Sequence, residues 1–244
     1  MRMDEGYQFG IGAFETIAVV KNNPVFLEEH VKRINSTLAF LLIAQKIDGQ
    51  EVRGALESHP MEYGVVKIMA SAENKLFLFR ENPYRREQYQ RGFFMDISEV
   101  RRNETSPLVF HKTLNYGDNF LERKRAKQAG LDETVFLNSR GAICEGSACN
   151  LFFVKKGRLY TPKLSCGMLP GILREWVCRE AFVSQMVVTL QMLNEFEECF
   201  ATNSLMGIMP VRQIGNAKYF PGPVGRMWMK RYGEEVLGIK DWPF

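Results

Sequence analysis

Lys112 is the residue of this 244-residue chain best placed to do covalent chemistry. It follows Val109-Phe110, which reads as the end of an apolar strand, and precedes the polar helix start Asn115-Tyr116-Gly117-Asp118. Apolar surroundings destabilise an ammonium, and the neutral amine condenses with an aldehyde to an imine. A lone lysine is ordinarily a solvated surface residue, so the assignment depends on what accompanies it. Glu145 opens a run of small residues, Glu145-Gly146-Ser147-Ala148-Cys149-Asn150. Leu169-Pro170-Gly171-Ile172-Leu173-Arg174 opens a helix, whose first N–H groups receive anions. Thr202-Asn203-Ser204 follows a strand and carries a second helix-start signal. Arg33 lies beside Ile34 on an amphipathic helix.

An imine-forming amine, an acid, two N–H cups and an arginine are what pyridoxal phosphate requires. The amine takes the aldehyde, the acid keeps the ring nitrogen protonated, and the cups and arginine hold the phosphate. Other chemistries fit less well. Gly10-Ile11-Gly12 fails the dinucleotide fingerprint, because position 15 is Glu and no strand precedes it; it reads as a bend that lets two backbones approach. Gly146-Ser147 is not a nucleophile elbow. Cys144 and Cys149 are too far apart for a C-x-x-C pair and the three His are scattered, so no metal site is expected.

The elements that must position these residues alternate between strand and helix. Strands are expected at Ala13–Val20, Phe93–Ile97, Val135–Asn138 and Glu198–Thr202, with Lys21–Pro24 as a turn. Hairpins are expected at Val65–Ala70 with Leu76–Arg80, and at Leu151–Val154 with Arg158–Thr161. Helical spacing of Val31, Ile34, Leu38 and Leu41 places a helix at 28–43, and others run from an Asp118 cap to Gly130 and over 171–184. Residues 99–108 are polar and end near Pro107, which marks them as a linker. The pattern lacks strict βαβ alternation. It implies an α+β fold of two unequal lobes, 1–105 and 106–244, the second carrying Lys112.

Composition bounds the function. Hydrophobic residues at 45% and charged residues at 25% exclude disordered, collagen-like and disulfide-scaffold classes. The net charge of +4 is dispersed, and the basic patches Arg85-Arg86 and Arg123–Lys127 have acidic neighbours, which argues against nucleic acid. No apolar run approaches the ~20 residues of a membrane span, and the first residues have no apolar signal region. Five cysteines without framework spacing suit a reducing, cytoplasmic setting.

The ordered motifs resemble the fold-type IV pyridoxal phosphate enzymes, the class-IV aminotransferase superfamily. They are Phe9–Thr16, Phe26–Ile34, Lys112–Tyr116, Val135–Asn138, Glu145–Phe152, Leu169–Arg174 and Ala201–Ser204 running to Pro210-Val211. The resemblance implies a D-amino acid aminotransferase-like fold with the cofactor in the cleft between lobes, and a homodimer. It implies Lys112 as the Schiff-base lysine, Glu145 as the partner of the ring nitrogen, and Arg33 as a phosphate ligand. It further implies backbone phosphate donors at Ile172 and Leu173, a second phosphate loop at Asn203 and Ser204, ring packing by Leu169, and Tyr116 at the phenolic oxygen. The chain departs from the family's usual residues at Leu173, where Thr is common, and at Ile11, where Asp is common. It also begins almost directly at Phe9-Gly10, where relatives carry a further strand pair; that is expected to open an edge of the small lobe or leave room for a partner subunit.

Within the superfamily, Phe14-Glu15-Thr16 and Lys112-Thr113-Leu114-Asn115 resemble the 4-amino-4-deoxychorismate lyases. The expected reaction is loss of pyruvate to give 4-aminobenzoate for folate synthesis, with Thr16 assisting proton movement. The alternative is a branched-chain or D-amino acid aminotransferase using a 2-oxo acid. A cofactor binder without catalysis is a third reading, and a nucleic-acid module a distant fourth.

Overall fold

The structure is a computed structural model that describes residues 2–243; Met1 and Phe244, the outer ends of the expected lobes, lie outside them. The chain divides into two compact units. One runs to Pro83 and takes back His111–Tyr116; the other comprises Tyr84–Phe110 and the chain from Gly117 on. The expected boundary at 105 therefore falls inside the second unit, and Lys112 belongs to the first.

The first unit contains α1 (Glu5–Phe9), β1 (Ala13–Val20), β2 (Asn23–Pro24), α2 (Leu27–Phe40), α3 (Gly49–Glu57), β3 (Tyr63–Ala70) and β4 (Lys75–Glu81). Its strands form an antiparallel sheet in the order β2-β1-β3-β4. Side chains alternate across a strand, so Ala13, Ile17 and Val19 share one face with Val66, Ile68 and Ala70. That face packs against Leu27, Ile34 and Leu38 of α2 and Val52 and Leu56 of α3. α2 stops three residues before the expected end, with Leu42 at φ 59° turning the chain away. α3 was not foreseen, although Asp48 and Glu51 form a complete capping box at its start.

The second unit contains α4 (Arg86–Arg91), β5 (Phe93–Arg102), α5 (Gly117–Gln128), β6 (Glu133–Asn138), β7 (Ile143–Gly146), β8 (Asn150–Lys155), β9 (Arg158–Pro162), α6 (Ile172–Glu180), β10 (Val183–Met186), β11 (Glu198–Asn203), β12 (Gly207–Ile214), β13 (Ala217–Lys218) and α7 (Pro223–Arg231). The sheet order is β10-β9-β8-β11-β12-β5-β6-β7, with β13 beside β12. β5 is parallel to both neighbours, β12 and β6. β6, β7 and β8 are buried almost throughout, as strands covered on both faces are.

Three further expectations are corrected. Residues 99–102 are the end of β5, not a linker: alternate charged side chains there point outward while the backbone pairs with β6. Val109-Phe110 is not a strand but the close of a 3-10 turn, Pro107–Phe110, opening on a proline that cannot donate to a ladder. The helix expected to 184 ends at Glu180, because residues 183–186 pair with β9 as β10.

Candidate active site

In the first unit the site is built around the start of β1. The Phe14 N–H donates to the Lys112 carbonyl at 2.9 Å, the Leu114 N–H donates to the Gly12 carbonyl at 2.8 Å, and Thr113 bridges Ala13. This close approach explains the two glycines. A Cβ on Gly12 would lie 2.6 Å from Leu114 Cδ1 and 2.7 Å from the Ala70 carbonyl oxygen. Gly10 sits at φ 73° with Asn115 Cα 3.1 Å from its missing Cβ. The bend anticipated at Gly10-Ile11-Gly12 is what ties the Lys112 segment to the sheet.

The Lys112 Nζ stands over the Phe14 ring, 4.3 Å from its centroid, and 5.2 Å from that of Tyr116. The two rings meet edge to face at 5.0 Å. The amine therefore rests against π-faces that hold it by cation–π attraction and fix its direction. A second amine approaches the same ring. Lys67 Nζ is 5.0 Å from the Phe14 centroid, and Lys67 is the cross-strand partner of Thr16, so the two share the Phe14 face. Burial, and to a lesser extent the charge of Arg80, holds the Lys67 ammonium below its ordinary pKa. The sequence reading missed Lys67, since a lysine in a strand ordinarily marks a solvated face. Only the register with Thr16 could have found it.

Glu15 faces the opposite way, towards α2, and is fully buried. His30 and Arg33 stand three residues apart on α2 and therefore share a face. Arg33 Nε and Nη2 donate to the two Glu15 oxygens at 2.6 and 2.8 Å, and His30 Nδ1 lies 2.6 Å from Glu15 Oε2. Burial alone would raise the Glu15 carboxyl, but Arg33 and His30 outweigh it and hold the group well below the carboxylate range. Burial pushes His30 below its ordinary value, so its ring is neutral near pH 7.

In the second unit Glu145 lies on β7, nearly buried. Its Oε1 receives Arg102 Nη2 at 3.0 Å and its Oε2 receives the Leu169 N–H at 3.2 Å. Arg102 also lies over the Phe136 ring at 4.2 Å. It was hidden in the stretch read as linker, and it pairs with the Glu145 carboxylate. The Leu169 carbonyl is held by Asn150 Nδ2 at 3.0 Å. This pins the approach to α6, whose N-cap is Gly171 with no side-chain cap. The N–H groups of the first turn, Ile172 and Leu173 among them, have no partner four residues back within the helix. A Cβ on Gly171 would strike Asn150 Oδ1.

Thr202-Asn203-Ser204 opens no helix. It is the turn from β11 to β12, and Asn203 Oδ1 shapes it by accepting the N–H groups of Leu205 and Met206 at 2.9 and 2.8 Å. Asn203 Nδ2 donates to Tyr84 Oη at 3.0 Å and to the Ala148 carbonyl at 2.9 Å. The asparagine side chain is thus spent on the turn. The Thr202 Oγ1 is buried without a hydrogen-bond partner.

The donor set suits pyridoxal phosphate. The first unit offers an amine against aromatic faces and a clamped arginine. The second offers a carboxylate paired with an arginine, an uncapped helix N-terminus over a glycine whose added methyl would strike Asn150, and an orphaned hydroxyl.

The chain matches the amino-transferase class IV family over residues 12–214. It belongs to that family. Family members use pyridoxal phosphate, so this protein is a pyridoxal phosphate enzyme of class IV. Its relatives carry two kinds of name. It is 28% identical over 242 residues to the "Probable branched-chain-amino-acid aminotransferase" of Thermotoga maritima, covering 93% of this chain and 87% of that one. It is 25% identical over 239 residues to the aminodeoxychorismate lyase of Bacillus subtilis, covering 88% and 82%. The fold matches the 4-amino-4-deoxychorismate lyase of Pseudomonas aeruginosa with a TM-score of 0.84 at 24% identity, over 97% of this chain and 96% of that one. The mixed α/β architecture is thus that of the fold-type IV enzymes. Among the described residues no helix is long and apolar enough to cross a membrane.

Proposed function

We propose that this class IV enzyme removes pyruvate from 4-amino-4-deoxychorismate to give 4-aminobenzoate. The observation that carries the reading is the Thr16–Lys67 pair on the face where Lys112 meets Phe14. That substrate carries two carboxylates, on the ring and on the enolpyruvyl group. A half-buried ammonium beside a hydroxyl suits such a dianion. It suits the aliphatic side chain of a branched amino acid poorly, since hydrocarbon laid over that ammonium would strip its water without giving it a partner.

Pyridoxal phosphate, when bound, supplies an electron-accepting ring for the pair left when the C–H bond at the amine-bearing carbon breaks. Lys112 holds the cofactor and takes that proton on Nζ. Glu145, paired with Arg102, would hold the proton on the ring nitrogen. Arg33 and the first N–H groups of α6 bind the phosphate, and the turn shaped by Asn203 presents Ser204 as a second phosphate contact. Leu169 and Tyr116 confine the ring. Lys67 orients a substrate carboxylate, and the Thr16 hydroxyl passes the proton taken up by Lys112 to the methylene carbon of the enolpyruvyl group as its ether C–O bond to the substrate ring breaks. The proposal includes a homodimer working in the cytoplasm.

The identity to the Thermotoga protein favours a second reading, a branched-chain aminotransferase. One experiment separates them. Cofactor-loaded enzyme receives aminodeoxychorismate with and without a 2-oxo acid, and 4-aminobenzoate and pyruvate are both quantified. Equal product in both tubes is expected, because elimination needs no amino acceptor. No product, with oxo-acid-dependent turnover of a branched-chain amino acid, overturns the lyase reading. Thr16→Val is expected to lower 4-aminobenzoate formation by about 10²-fold while leaving cofactor affinity nearly unchanged; equal, small effects on both remove Thr16 from the reaction.

A further inference from the structure

His30 has no role in the proposed chemistry, yet it is fully buried and its Nδ1 is 2.6 Å from a carboxylate in the core. We infer that His30 is a positioning residue for Arg33, acting through Glu15: its Nδ1–H fixes the carboxylate that holds the guanidinium in the orientation a phosphate monoester needs. The inference rests on the reading of Arg33 as a phosphate ligand.

The argument runs through hydrogen-bond capacity. An ionised carboxylate only accepts, so the neutral ring of His30 carries its proton on Nδ1. That leaves Nε2 a bare acceptor, and Nε2 is indeed buried without a hydrogen-bond partner. The ring keeps this unpaired nitrogen at a cost, which marks the Nδ1 bond as the one the site preserves. Arg33 meets Glu15 with the edge formed by Nε and Nη2. A guanidinium is planar and has five donors, so anchoring two of them sets the direction of the other three. Glu15 can anchor them only while its own rotation is stopped. The backbone of β1 fixes its Cα, the surrounding apolar core excludes water, and His30 supplies the remaining restraint on Oε2.

The test compares two isosteres, His30→Asn and His30→Gln. The asparagine amide occupies the place of Nδ1 and keeps a donor to Glu15; the glutamine amide reaches the place of Nε2 and does not. Affinities for pyridoxal 5′-phosphate and for pyridoxal, which lacks the phosphate, are measured by equilibrium dialysis, and their ratio isolates the phosphate contribution. The ratio is expected to stay within about 2-fold of wild type in His30→Asn and to fall about 10-fold in His30→Gln, the scale of one hydrogen bond to a charged group. Equal ratios in both variants overturn the inference. Arg33→Met is the control. If it leaves the ratio unchanged, the phosphate reading of Arg33 itself fails; if it collapses the ratio while His30→Gln does not, only the role of His30 fails. The wild-type protein gives a measurement that needs no variant. Nitrogen NMR of the imidazoles is expected to show one of the three histidines as the neutral Nδ1–H tautomer at pH 7, and an imidazolium or Nε2–H tautomer at His30 overturns the proposal.

Discussion

The two units hold charge by opposite means. In the first, three ionisable side chains, Glu15, His30 and Arg33, are buried against one another, and the arginine is directed by its acidic partner. In the second, the donors proposed to receive an anion are backbone N–H groups at the start of α6, while the nearby amides of Asn150 and Asn203 are spent on shaping the chain. A site made of side-chain charges fails when one charge is removed. A site made of backbone fails when its shape changes. The ion pair Arg102–Glu145 is a place where the second unit uses the first unit's device.

The covalent chemistry gives the largest expected contrast. Lys112→Ala is expected to lower turnover by about 10³-fold or more and to lose the cofactor on gel filtration. Glu145→Gln is expected to retain the cofactor through gel filtration and to slow turnover by about 10²-fold. Single-turnover rates and absorbance of the eluted protein measure both. Cofactor retained by Lys112→Ala means the lysine is misassigned, and unchanged turnover in Glu145→Gln removes the carboxylate from the reaction.

Stability gives the next contrast. Glu15→Ala leaves His30 and Arg33 buried without their acceptor and is expected to cost about 3–5 kcal/mol, the scale for breaking a buried pair. Asn203→Ala removes four hydrogen bonds from a turn that is only part-buried, and water replaces some of them. About 1–3 kcal/mol is expected. Urea midpoints rank the two, and the reverse order would show that the turn, not the charge cluster, is the costlier element. Gly171→Ala tests the shape argument alone. Its methyl must displace Asn150, with an expected cost of about 1–3 kcal/mol and weaker phosphate affinity; a gain in stability would mean that the N-cap has room to spare.

How far the sequence foretold this follows the same division. Lys112, Glu145 and the start of α6 could be singled out because their types and order suggest one chemistry, and their roles in it are part of the proposal. β1 was legible to the residue, since an eight-residue stretch with six apolar residues between a glycine bend and Lys21-Asn22 reads as a strand. The parts that stayed hidden depend on register. Lys67 acquires meaning from standing opposite Thr16, and Arg102 from lying on β5 near Glu145; both look like solvated charge when read locally. Asn203 misled for a related reason. A residue that caps a helix and one that shapes a strand-to-strand turn use the same side-chain oxygen on the same nearby N–H groups. Residues 99–102 looked like part of a linker because a strand whose outward side chains are charged has the composition of a loop.

Acid separates the units by sign, the smallest effect but the cleanest. Asp4 caps α1 and accepts hydrogen bonds from Ser71, Glu73 and Asn74, tying the N-terminal segment to the β3–β4 turn. These bonds, the one from Ser71 foremost, lower its pKa from 3.8 to about 2. A carboxyl depressed in the folded state gives stability that is present above 3.8 and lost as the pH falls through about 2. Glu133 in the second unit behaves oppositely. Burial raises its carboxyl, although Arg123 and the bonds from Ser147 and Thr134 oppose the shift. Folding therefore favours its protonated form, and its contribution is present below the ordinary value of 4.5 and lost as the pH rises through the folded one. Urea midpoints followed from about pH 7 downward check both signs. Asp4→Asn is expected to be less stable than wild type at neutral pH, with the gap closing towards the acid end. For Glu133→Gln the expected difference is a relative gain at neutral pH that fades as the wild-type carboxyl takes up its proton. Two gaps that change in the same direction would place the acid response of the protein elsewhere than in these two carboxyls.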